Sequence, residues 1–109
     1  MFKIVPNPTF THDVTVLTPV DGGHDEETLV VTYNYLDTEE VKKFDLNTSN
    51  GTTQFLDSLV AKIDGLTGPT GEPIACSFDL RQKLLKMSNV RLAVIRHYFD
   101  AVRKVKEGN

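Results

Sequence analysis

Cysteine, surplus positive charge and long apolar runs are all scarce in this chain, and each scarcity excludes something. Cys76 is the single cysteine among 109 residues. One thiol cannot close an internal disulfide, so the chain is not a disulfide scaffold, and an unpaired thiol fits a reducing compartment. Lysine and arginine number 12 against 15 aspartates and glutamates, a net charge of −3. Phosphate neutralisation drives most nucleic-acid affinity, so this balance argues against a nucleic-acid partner. The basic stretch Arg96, Arg103, Lys104 and Lys106 reads as cations complementing the last turns of a helix. No run of about 18 apolar residues occurs, so no membrane span is expected. The opening MFKIVPNPTF has two prolines and no apolar signal core, which points to a cytoplasmic protein.

What is present is ordinary for one soluble domain. Hydrophobic residues make up 39% and charged residues 25%, which argues against disorder. A length of 109 residues suits a single core, taken here as one domain over 1–109.

The periodicity predicts an α+β fold. Residues 9–18, TFTHDVTVLT, alternate threonine with Phe10, His12, Val14 and Val16, as a half-buried strand does. TLVVTYNYL alternates again, with Leu29, Val31, Tyr33 and Tyr35 on one face. The two runs predict a β-hairpin within 1–37, joined by a long acidic loop over 19–27. Residues 38–64 read as helical. Thr38 caps a short helix running to about Phe44, NTSNG at 47–51 is turn chemistry, and Phe55, Leu56, Leu59, Val60 and Ile63 carry helical spacing. Three glycines and two prolines predict an irregular, mobile loop over 65–76. Ser77 caps a helix bearing Leu80, Leu84 and Met87, and Ser88-Asn89 starts a last helix from Val90 to about Lys106, within a helical segment 77–106. The expectation is an N-terminal antiparallel hairpin packed against three to four helices.

Catalysis needs groups that converge, and the chain has no G-x-S-x-G, H-E-x-x-H, P-loop or C-x-x-C. Cys76 reads as a partly buried structural thiol. Asp21, His24, Asp25, Glu26 and Glu27 match no metal cage and read as a solvated loop. His12 reads as a core-edge histidine and His97 as solvated. The Gly65, Gly68 and Gly71 spacing follows no strand and lacks the lysine of a phosphate cradle. No catalytic, cofactor or metal residue is assigned, and the chain is read as a non-enzyme.

The last helix is the most informative segment. Val90, Val94, Tyr98, Ala101 and Val105 fill one side, and Leu92, Ile95, Phe99 and Val102 carry the apolar arc to roughly 200°, against roughly 100° for an ordinary surface helix. Of the first set, Val94, Tyr98, Ala101 and Val105 are assigned to the core. Leu92, Ile95, Phe99 and Val102 are assigned to contact with another chain.

Several segments carry a family resemblance over nearly the whole chain. They are the opening NPTFTHDVTV, the strand VVTYNYLDTEEVKKF, the turn GEPI, the helix ending LLKMSN and the final VRLAVIRHYFDAV before KVKEGN. In this order they resemble the tail assembly chaperones of long, non-contractile-tailed bacteriophages and prophages. Relatives often carry a tryptophan after the leucine-rich helix; this chain has none, and Ile63 or Leu66 fills that space. The resemblance implies a cofactor-free binding protein of the host cytoplasm. It would hold the tape measure protein soluble, recruit the tail tube protein, self-associate, and be absent from the mature virion. The alternative is a structural tail component, a tube or terminator subunit retained in the particle.

Overall fold

The computed structural model describes residues 1–103, and these form an α+β fold. Strands β1 (Thr9–Val20) and β2 (Gly23–Asn34) make the N-terminal hairpin, paired antiparallel from Thr9↔Asn34 to Val20↔Gly23. The alternation in the sequence becomes the two faces of the sheet. Val14, Val16, Leu29, Val31 and Tyr33 turn inward, while Thr9, Thr11, Asp13 and Thr15 stay exposed. Such one-sided burial is what an antiparallel sheet permits. On the wet face Thr11 and Thr32 share a hydrogen bond of 2.8 Å between their hydroxyls.

The long loop expected over 19–27 is not there. Both strands run on, and Asp21-Gly22 alone reverses the chain, with Gly22 taking φ +80°. Glycine meets that positive angle without a Cβ penalty. Pro19 is tolerated because β1 lies at the edge of the sheet, where a missing N–H breaks no ladder.

The segment 38–64 is not helical throughout. Helix α1 (Thr38–Lys42) is capped by Asp37 rather than Thr38: the Asp37 carboxylate accepts from the Glu40 N–H at 2.8 Å. Helix α2 (Ser49–Leu59) starts inside the NTSNG stretch, where Thr48 Oγ1 accepts from the Gly51 N–H at 2.9 Å. Gly51 serves a close approach here, not a turn. A Cβ on it would lie 1.9 Å from the Asp45 carbonyl oxygen.

After Leu59 the chain becomes β3 (Val60–Asp64), antiparallel to β2 in the sheet order β1-β2-β3. Val30↔Asp64, Val31↔Ile63 and Thr32↔Lys62 are in register, then Tyr33 pairs with Val60, so Ala61 is the extra residue of a β-bulge. In a regular strand residues 60 and 63 would face opposite sides. The bulge turns both inward, at 2% and 3% exposure. Their spacing therefore imitates a helix while their backbone is a strand.

The segment 65–76 is also more ordered than its glycines and prolines suggest. It holds a small hairpin of β4 (Leu66–Thr67) and β5 (Pro73–Ile74), closed by Gly68 N–H donating to the Glu72 carbonyl at 2.8 Å. Helix α3 (Phe78–Lys86) is capped by Ser77 as expected, with its hydroxyl accepting from the Leu80 N–H at 3.1 Å. The break before the last helix sits at Met87, whose extended ψ of 128° interrupts the helical run. Helix α4 (Ser88–Arg103) then begins two residues earlier than Val90. Its expected continuation to Lys106 lies outside the described residues, as does Val105.

The helices cover one face of the sheet, with α4 against β1 and α2 against β2 and β3. Phe55, Leu56, Leu59, Val94 and Tyr98 complete a single core with the inward strand residues. Its two phenols are satisfied. Tyr33 donates to the Val94 carbonyl at 2.7 Å, and the Tyr98 hydroxyl accepts from the Leu36 N–H at 3.0 Å.

Candidate protein-binding surface

Helix α4 is split unevenly between core and solvent. Val90, Val94 and Tyr98 are buried, and Ala101 is half-buried beside them. The four residues assigned to a partner do not share one exposed face. Ile95, Phe99 and Val102 are half-buried and pack against the core. Phe99 stacks on Phe55 at 5.9 Å between ring centroids, and the Arg103 guanidinium lies over its outer face at 5.7 Å. Leu92 alone stands out, 51% exposed.

Leu92 does not stand alone in space. It lines a groove of about 400 Å³ between α4 and β1, together with Leu17, Ala93 and Val14. Leu17 is likewise 51% exposed. Asp13, Arg96 and Asp100 give the groove a charged rim. Asn89 ties its end shut by donating to the Leu17 carbonyl at 3.1 Å. A second groove of about 390 Å³ lies between the hairpin, Leu66 and the α3–α4 junction, lined by Val16, Leu29, Leu84, Met87 and Val90. Met87 is exposed at its mouth. Leu17 was legible as an apolar residue out of phase with its strand's inward face, which marks it as outward-pointing.

The structure also joins two histidines that the sequence reading kept apart. His12 Nδ1 and His97 Nε2 are 2.8 Å apart across the β1–α4 interface. His97 is not fully solvated: it is half-buried and lies parallel to Tyr33, 6.1 Å between ring centroids. Burial pushes its pKa down, and His12 adds to the effect. His12 is exposed, edge-on to Phe10 at 5.0 Å. A signal was available, since His97 follows Ala93 and Val94 by one turn and so sits at the margin of the core face.

Cys76 is half-buried beside Ser77, 3.7 Å from its carbonyl oxygen. Burial pushes the thiol pKa up, away from the nucleophilic thiolate. Asp21, His24, Asp25, Glu26 and Glu27 lie exposed along the hairpin tip. Among the described residues no group of three or more His, Cys, Asp or Glu side chains is placed to hold a metal ion. Among the same residues no helix is long and apolar enough to cross a membrane.

No family model matches the chain. Comparison with curated proteins and with solved structures gives no match either.

Proposed function

We propose that this protein is a phage tail assembly chaperone that binds the tape measure protein, assists tail tube assembly in the host cytoplasm and leaves before the virion is complete. The observation that carries the reading is the pair Leu17 and Leu92, two large apolar side chains half in solvent on either wall of one groove. An apolar surface of this kind is a liability unless a partner covers it. A client made of long apolar helices supplies such a partner, because an amphipathic helix seats its apolar stripe in a groove between two raised edges. The charged rim would hold the client's polar flank and set its register. The segment order and motifs that resemble the tail assembly chaperones point the same way. Self-association would use the same surface when no client is present.

Coexpression tests the reading. The tape measure protein should be soluble and co-purify with this chain, and Leu17→Asp with Leu92→Asp should lose the client while keeping a wild-type circular dichroism spectrum. A tape measure protein equally soluble alone would end the proposal. Mass spectrometry of purified particles separates the chaperone from a tube or terminator subunit: the chaperone is missing, the structural subunit present in many copies.

A further inference from the structure

We propose that residues 1–5 of one copy add as a strand to the outer edge of β1 in a second copy. Those residues, MFKIV, are exposed throughout and belong to no strand or helix of their own chain. Phe2 is 92% and Ile4 87% exposed, and Met1 and Val5 stand in solvent beside them. Apolar side chains of this size in solvent call for a partner. Phe, Ile and Val favour extended backbone, and no proline interrupts the five residues. The root of the segment is fixed. Asn7 sits at φ +49° between Pro6 and Pro8, and the Pro8 carbonyl accepts from the Tyr35 N–H at 2.9 Å.

The receiving edge is β1. In the sheet order β1-β2-β3 its outer side has no neighbouring strand among the described residues. Asp13, Val14, Thr15 and Leu17 all line the groove against α4. Successive strand residues face opposite sides of a sheet, so a groove that meets Asp13, Val14 and Thr15 in turn runs along the strand's edge. The Leu17 carbonyl accepts from Asn89 on α4, so it points away from β2. Backbone groups of alternate residues point the same way, so Asp13 and Thr15 also offer their N–H and C=O outward. An added strand satisfies such groups. Phe2 and Ile4 share one face of that strand, Lys3 and Val5 the other. With Phe2 and Ile4 laid on Leu92 and Ala93, Lys3 emerges on the face where Asp13 is exposed, and Val5 meets Leu17. The cationic Lys3 suits a hairpin whose other strand carries Asp25, Glu26 and Glu27. Within one copy the segment falls short of this site. Folding back at Asn7 would set Val5 beside Thr9 and Phe2 beside His12, and Leu17 lies about 16 Å further along β1. A second copy brings the two together. The inference deepens the self-association proposed above and stands with or without a client.

Sedimentation equilibrium of the full chain, with no client present, tests it. The wild type should assemble to at least twice the 12.2 kDa of one chain. Phe2→Asp with Ile4→Asp should weaken assembly roughly a hundredfold or more. The circular dichroism spectrum should stay that of the wild type, because neither side chain is buried. Leu92→Asp, on the receiving side, should weaken assembly as well. The two variants are complementary, since one keeps the groove and the other keeps the segment. Unlabelled Leu92→Asp chain added to ¹⁵N-labelled Phe2→Asp/Ile4→Asp chain should therefore shift the amide NMR signals of Asp13, Thr15 and Leu17. A wild type that stays monomeric overturns the proposal, as does either variant that assembles like the wild type. Amide signals along β1 that stay in place on mixing overturn it too. Because no client enters the experiment, its failure leaves the tape measure reading standing, and failure of that reading leaves this result untouched.

Discussion

At the scale of single residues, the fold depends on a few atoms with no room to move. Gly51 is one. Any Cβ there collides with the Asp45 carbonyl at 1.9 Å, a backbone atom rather than a flexible side-chain tip. Gly51→Ala should cost roughly 1–3 kcal/mol, or more if the first turn of α2 cannot shift, measured by urea unfolding. His97 is another. Its folded pKa lies below the ordinary 6.5 because burial, and then His12, disfavours the charged ring, with Asp100 opposing. The unfolded chain thus binds the proton more readily than the folded one. Stability should be full above about pH 6.5, fall as the pH drops from there toward the folded pKa, and level off below it. Melting temperatures at about pH 7.5 and 5.5 check this, and His97→Gln should flatten the difference. The histidine pair itself was not legible, because no local rule brings together residues 85 apart in sequence.

At the scale of elements, the strong signals were local and the missed ones were masked by local mimicry. The alternation of β1 and β2, the Ser77 cap and the apolar arc of α4 could all be read from neighbouring residues. β3 could not, because the Ala61 bulge gives Val60 and Ile63 the i, i+3 spacing of a helix. β4 and β5 were hidden for another reason: glycine and proline mark turns, and a two-residue strand between turns leaves no periodicity to see. The bulge makes a prediction that separates the two geometries. Val60→Asp and Ile63→Asp should each unfold the domain, since a lone buried charge costs several kcal/mol. Lys62→Asp should be nearly neutral. An unbulged strand would present only one of Val60 and Ile63 to the core, so a tolerated Val60→Asp would contradict the register. On α4 the same logic predicts that Phe99→Asp destabilises, because its ring is stacked on Phe55, while Leu92→Asp leaves the melting temperature within a few degrees of wild type.

At the scale of the molecule, the distal half of the hairpin is the unusual feature. β3 reaches β2 only as far as Val30, so beyond that point the hairpin has no third strand. Residues 19–28 are exposed on both faces, and Leu17 and Val20 present apolar side chains there. Two bare strand edges with apolar residues are a template for pairing with further chains. The acidic residues of the tip answer that hazard. Glu26 pairs with Leu17, Glu27 with Val16 and Asp25 with Thr18, so three successive pairs of the distal hairpin carry a carboxylate. Stacking a second copy against this tip would bring like charges together at strand spacing, which is destabilising. Pro19 adds a missing donor on the outer strand. The charges therefore act against unwanted sheet extension while Leu17 remains free for a client. Asp25→Thr with Glu26→Val should leave the core untouched, because neither side chain is buried. The variant should keep its melting temperature within a few degrees yet build larger assemblies on concentration, with light scattering rising well beyond that of the wild type. If it stays as dispersed as the wild type, the carboxylates have another purpose, and Pro19 and the twist of the hairpin are enough to keep the edges apart.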